Sequence, residues 1–227
     1  MKENHNPHKE EFQIERIAFF SDAVFAIAIT LLILEIKIPE LPGKSSPTDG
    51  EFINFFLTVM LQKFIGFIVS FLVIGLYWMV HHRMFNYIIH YNKKLMWTNL
   101  FFLLSVVLMP FSSAFLSDYF LLMSHVPLGF YTFNICLTGF MTYRLWHIIA
   151  DPKYHLSDGA GDKILMRYNT IRSFTIPGAF VVVFLLSFIN PWVSFYGLPL
   201  LPFVSKMINN HYKKKYPEMM KAHVLKY

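Results

Sequence analysis

Apolar residues fill the chain from Ala23 to Leu34, broken only by Thr30, and polar residues mark both ends of the run. Arg16, Ser21 and Asp22 stand before it, with Phe20 among them; Glu35, Lys37 and Pro39 close it. At ~1.5 Å per residue, the run and the preceding turn Ile17–Phe20 span about one bilayer core. Residues 16–39 therefore read as a membrane helix whose first turns carry an arginine and an aspartate. Ionisable groups at membrane depth are costly and are retained where they pair or line a polar path. Arg16 and Asp22 are six residues apart, which puts them on different helix faces, so each needs a partner on another helix or subunit. Ile27, Thr30, Leu31 and Leu34 follow the i, i+3, i+4, i+7 rhythm of one stripe, and Ala23 extends it. Ala18, Ala26 and Ala28 predict a small-residue face for close helix approach.

The same hydropathy reading predicts five further spans. The second runs from about Phe52 to Val80, with Lys63 in its outer part, and ends in Trp78, His81, His82 and Arg83. The third covers about Leu95 to Leu116, with Trp97 and Asn99 in its first turn and Pro110 near its far end. The fourth covers about Leu121 to Ile149, broken near His125 and Pro127, with Leu128 an alternative start. The fifth covers about Ile164 to Ile189 with Pro177 and Gly178 as a kink. Asn190–Pro191 turns the chain into a sixth, about Trp192 to Ile208, whose Pro199 and Pro202 are tolerated by membrane packing. Pro39, Pro42, Gly43, Pro47 and Gly50 mark a loop after the first span, and Asp151–Asp162 is a polar loop before the fifth. The expected fold is all-α, a single six-helix membrane unit over 1–227: an N-terminal tail 1–15, a membrane domain 16–208 and a basic tail 209–227. No internal repeat is visible, which argues against inverted-repeat transporters.

Composition agrees: the 227 residues are 55% hydrophobic with mean hydropathy +0.44, which suits several spans and not one soluble core. The N-terminus, polar and rich in both charges, lacks the design of a cleaved signal peptide. The net charge of +6 does not indicate nucleic acid, because the lysines and arginines cluster at span ends. Six spans put both termini on one side, together with Arg83, Lys93, Lys94, Arg144, Arg167, Arg172 and the lysines of the tail. The other side has Lys37 and Lys44, with Lys63 near it. The positive-inside rule then places both termini in the cytoplasm. Glu35, Glu40, Asp49, Glu51 and Asp118 fall outside, either as an acidic vestibule that concentrates cations or as ordinary solvated loop charges.

Chemistry-bearing constellations are sparse. The single cysteine, Cys136, excludes an intrachain disulfide and a cysteine-rich metal site. His81, His82 and His90 lack the HExxH spacing, cysteine pair or carboxylate cluster of a metal centre and read as interfacial or networked side chains. No nucleophile–base pair suggests an enzyme. Trp78, Trp97, Trp146 and Trp192 read as aromatic-belt anchors. Arg16, Ser21 and Asp22 form either a structural polar network or an ion-binding site; His82 and Asn99 are the expected partners and Phe20 the expected shield. Taken by periodicity alone, Ile27, Leu31 and Leu34 are core-packing or lipid-facing, and Thr30 back-bonds to its own helix.

The run Arg16-x-x-x-Phe20-Ser21-Asp22, continued as AVFAIAITLLILEI, resembles the first helix of the lysosomal potassium channel family (transmembrane protein 175) in its prokaryotic branch. Trp78-x-x-x-His82, Trp97-x-Asn99-Leu100 and Leu108-x-Pro110-Phe111 extend the resemblance, which is strongest in spans one to three. It implies a potassium-permeable channel in a bacterial plasma membrane, favouring potassium over sodium. It further implies a homotetramer whose first helices line the pore, with a constriction at Ile27, further layers at Leu31 and Leu34, and a threonine layer at Thr30. The family lacks a P-loop filter, and this sequence has no TVGYG-like run. Rings of Ile27, Leu31 and Leu34 around a fourfold axis would gate by dewetting and penalise ions that hold water tightly. Potassium is the implied permeant ion, and no cofactor is expected. The alternative is a proton- or cation-coupled transporter using Asp22 and nearby histidines.

Overall fold

The computed structural model describes residues 7–36, 48–119, 124–190 and 200–223. The described residues are almost entirely helical. Helix α1 is Pro7–Leu34. Helix α2, Asp49–Phe55, passes through a π-helical segment, Phe56–Met60, into α3, Leu61–Phe85. Next come α4, Lys93–Asp118, and α5, His125–Ala150. Helix α6 is Lys163–Ser187, α7 is Leu200–Lys215 and α8 is Pro217–His223. Among the described residues, four continuous helical stretches are long and apolar enough to cross a membrane: 10–34, 49–85, 93–118 and 163–187.

Side-chain caps set the helix starts. Thr48 and Glu51 form a capping box at α2. Asn92 caps α4, Ser124 caps α5 and Asp162 caps α6, each accepting from backbone N–H groups of the first turn. The cap at Ser124 places Pro127 in the first turn of α5, where a proline costs no intrahelical hydrogen bond, so the helix starts at His125 and not at Leu128. Residues 120–123, in the predicted start of that span, lie outside the described residues.

Helix α1 starts nine residues before Arg16, so most of the expected N-terminal tail is helix. Pro7 suits a first helical turn, and Glu10 complements the positive end of the helix dipole. Glu10 also pairs with His90 Nδ1 at 2.7 Å, tying the extension to the turn between α3 and α4. At ~1.5 Å per residue α1 is about 42 Å long, more than a hydrocarbon core of about 30 Å, so its first turns project beyond it.

Helix α1 packs on α3 and α4, α4 on α5, α5 on α6, and α6 on α7. Helix α5 is thus enclosed between α4 and α6 and buries Thr132, Asn134, Thr138 and Thr142, while Arg144 and His147 near its end are exposed. Ser70 of α3 bonds both Ser113 of α4 (2.7 Å) and Tyr131 of α5 (2.9 Å), so a polar triad pins three helices at one level. Such contacts hold helices together where lipid gives apolar faces no reason to associate.

Pro177 stands inside α6 against Gly139 of α5. A Cβ added at Gly139 would lie 2.2 Å from Pro177 Cγ and 2.8 Å from the Ser173 carbonyl oxygen. The second contact is backbone and cannot move aside. Gly139→Ala is therefore expected to force α5 and α6 apart and to cost about 1–3 kcal/mol. A lowered melting temperature in detergent checks this; an unchanged one would contradict the close approach.

Several expectations on the loops and the last span take a different form. The loop Asp151–Asp162 is not wholly polar on folding: Leu156 and Ala160 are buried, and the Leu156 carbonyl accepts from the Ile89 N–H (2.8 Å), stitching this loop to the one before α4. Residues 192–199, the first half of the predicted sixth span, lie outside the described residues, as do Pro191, Lys37, Glu40, Lys44 and most of the loop after the first span. The second half of that span is α7, which continues past Ile208 through Asn209, Asn210 and three lysines to Lys215. The basic tail, for which the sequence leaves helix or disorder open, is helical to Lys215 and again over Pro217–His223. Tyr212 and Met220 pack with Tyr168 of α6, and Asn209 Oδ1 accepts from Tyr168 and Arg172, both at 2.8 Å.

Candidate functional site

Helix α1 lies at the edge of the bundle and divides into two faces. Ser21, Phe25, Ala28 and Leu32, spaced four, three and four residues apart, are fully buried against α3 and α4. The opposite stripe is open: Ile27 is 58% exposed, Leu31 38% and Leu34 70%, and Ala23 and Thr30 are exposed as well. Arg16 and Phe20 continue this stripe toward the N-terminus. Of the expected small-residue face only Ala28 is buried; Ala18 is partly so and Ala26 is exposed. Large apolar side chains in register on one face of a membrane helix, turned away from the rest of the chain, face lipid, another chain or a lumen.

Thr30 on the stripe donates its hydroxyl proton to the Ile27 carbonyl at 2.9 Å. This local bond fixes the rotamer and leaves the oxygen's lone pairs free to face a cation. Helix back-bonding and cation contact are therefore compatible at this residue.

Behind the stripe a three-residue relay anchors α1. Asn99 Oδ1 can only accept, so His81 Nε2 donates to it at 2.9 Å. Asn99 Nδ2 donates to Ser21 Oγ at 3.0 Å, and Ser21 Oγ donates to the Ile17 carbonyl at 2.8 Å. All three side chains are at most 2% exposed. The His81 ring is enclosed by Phe25, Phe85 and Phe102, stacked on the last at 6°. One polar residue from each of α1, α3 and α4 is thus satisfied inside an apolar cage, which fixes the rotation of α1 and with it the direction of the stripe.

The structure brings Ser21 and Asn99 together and distributes the other expected members differently. His81, not His82, faces Asn99, because neighbours on a helix point about 100° apart and only one can face α4. The signal was present: Ser70, Ile74, Tyr77, His81 and Met84 repeat every three or four residues as the buried face of α3. His82 is exposed, its ring 5.8 Å from that of Trp78. Trp78 Nε1 donates to Asp22 Oδ1 at 2.8 Å, a second link between α1 and α3 that the sequence reading missed. Phe20 is 54% exposed and stands apart from the relay; Phe25, buried against the His81 ring, has the shielding role. Among the described residues Arg16 reaches Gln13 of its own helix (3.5 Å) and the Phe12 ring (6.0 Å), and it is exposed.

The model of the endosomal/lysosomal potassium channel TMEM175 family matches residues 16–110, from Arg16 through most of α4. A potassium channel of Chamaesiphon minutus is 33% identical over 82% of this chain and 89% of its own length. The chain belongs to the TMEM175 family. A potassium channel of Streptomyces collinus is 35% identical over 69% of this chain and 74% of its own. The crystal structure of a lysosomal potassium-selective channel TMEM175 homologue from Chamaesiphon minutus superposes with a TM-score of 0.67 at 28% identity, covering 87% of this chain and 98% of that one. This TMEM175-family protein is a multi-pass membrane protein of a channel family, not an enzyme family.

The family match covers both halves of the site, stripe and anchor, and ends at Pro110. Beyond the match, Trp146 is fully buried with its ring edge-on to Tyr87 at 5.8 Å and is a core residue, not a belt anchor; within it, Trp97 is 62% exposed, as a belt anchor would be. Trp192 lies outside the described residues. Lys63 of α3 pairs with Asp118 at the end of α4. At the opposite end of the bundle Glu10 pairs with His90.

Proposed function

We propose that this protein is a potassium-permeable channel, conducting passively through a homotetrameric pore lined by α1, in a bacterial plasma membrane with both termini cytoplasmic. The observation that carries this reading is the exposed stripe Ala23, Ile27, Thr30, Leu31 and Leu34, held outward by the buried Ser21–Asn99–His81 relay. Four such stripes around one axis give stacked apolar rings with a hydroxyl layer at Thr30. The narrowest is assigned to Ile27. An apolar ring passes an ion only when its water is stripped or thinned, and potassium gives up water more cheaply than sodium. The sizeable overlap with relatives named potassium channels supports the choice of ion. Arg16, exposed, stands at the start of the same stripe and is assigned an intersubunit role.

The test is the reversal potential of purified protein in planar bilayers with potassium on one side and sodium on the other. A shift toward the potassium equilibrium potential, independent of any proton gradient, is expected. Flux that appears only with the gradient of a second ion would instead support a coupled transporter using Asp22.

A further inference from the structure

A cavity of about 860 Å³ lies between α3, α6 and α7, with no residue of α1 among its described lining residues. Its wall along the span is apolar: Leu72, Val73, Leu76 and Val80 of α3 and Ile176 of α6. Its other end is cationic, lined by Arg83 of α3, Arg172 of α6 and Lys206 of α7. No carboxylate among the described residues lines it. Arg172 spends one arm on Asn209 at 2.8 Å. Arg83 Nη2 is enclosed by protein, so it is the rest of that side chain that borders the cavity. Three cations at one edge of an apolar cavity, with no carboxylate among its described lining residues, are destabilising unless an anion is present.

The shape of the site selects the anion. Arginine forks match phosphate oxygens in paired hydrogen bonds, and a small soluble anion would leave the long apolar wall uncovered. A phosphate on an acyl chain satisfies both ends. We propose that this groove binds an anionic phospholipid, its phosphate held by Arg83, Arg172 and Lys206 and one acyl chain lying along α3 and α6. The lipid thereby bridges α7 to α3. Basic pockets between membrane helices bind lipid head groups on the same principle. The site is separate from the α1 stripe, so its occupancy is measurable whether or not that stripe lines a pore.

Native mass spectrometry of the delipidated full-length protein in detergent tests this. Phosphatidylglycerol and phosphatidylcholine of equal chain length are titrated in parallel, with inorganic phosphate as a third arm. Phosphatidylglycerol is expected to bind at about fivefold lower concentration than phosphatidylcholine, and Lys206→Gln to weaken it about fivefold. Arg172→Gln combined with Lys206→Gln should remove the preference altogether. Lys213→Gln, also on α7 but not lining the cavity, should leave it unchanged. Lys206 is exposed, so its variant folds and carries the test even if Arg83→Gln does not. Equal binding of the two lipids, a preference untouched by the double variant, or full displacement of lipid by inorganic phosphate overturns the proposal. So does a Lys206→Gln variant that loses oligomer and keeps its lipid adducts, which would make a second copy of the chain the occupant.

Discussion

Ile27→Asn is expected to raise sodium conductance and move the reversal potential between potassium and sodium toward zero. Ile27 projects from α1 at 58% exposure, outside the buried core of the bundle. In the proposed pore its four copies form the constriction, and the dehydration cost they impose separates the two ions. An amide at that position supplies hydrogen-bonding groups that replace lost water, so the barrier falls most for the ion that holds water most tightly. A barrier lower by about 1.4 kcal/mol gives about tenfold more flux. Ile27→Val keeps the ring apolar and should retain the preference. Bilayer recordings with both variants decide the matter: unchanged selectivity in Ile27→Asn removes Ile27 as the constriction. Since the side chain lies outside the core, the substitution should leave the melting temperature nearly unaltered, which separates a conduction effect from misfolding.

Asn99→Leu is expected to be the most destabilising single change among the residues of the candidate site. Leucine fills nearly the same volume but leaves the His81 N–H without an acceptor and Ser21 Oγ without its donor, in a cage walled by Phe25, Phe85 and Phe102. Each buried polar group left unsatisfied costs about 1–3 kcal/mol. Ser21 keeps its bond to the Ile17 carbonyl, so His81 bears most of the penalty. Thermal unfolding in detergent should show a clear loss for Asn99→Leu. Ser21→Ala should add less than its separate effect to the Asn99 variant, because the two share one relay. His82→Ala is the control: exposed and outside the relay, it should cost no more than about 0.5 kcal/mol. Equal losses for His82→Ala and Asn99→Leu would contradict the assignment of His81.

The first helix was legible because two patterns coincide on it. A membrane-length apolar run fixed its existence, and the three-and-four spacing of Ile27, Leu31 and Leu34 placed them on one stripe. The polar residues at its head announced a cost that some other helix must meet. Which histidine meets it was less visible. His81 and His82 are adjacent and chemically identical, and the choice depends on the rotation of α3, set by packing along its whole buried face. Trp78 was legible as interfacial by residue type, yet its bond to Asp22 depends on where two helices cross.

Sequence by itself determined the all-helical membrane character, the order of the main helices and the family. Apolar length, proline and capping positions and the Arg16-x-x-x-Phe20-Ser21-Asp22 run are local features, and a bilayer leaves few other ways to satisfy the backbone. Tertiary structure alone decided that α5 is the enclosed helix, that Trp146 belongs to the core, and that three cations from three helices border one apolar groove. Those facts depend on distances between residues far apart in the chain. Hydropathy scores each segment against lipid and is blind to the neighbour that replaces lipid once the helices pack.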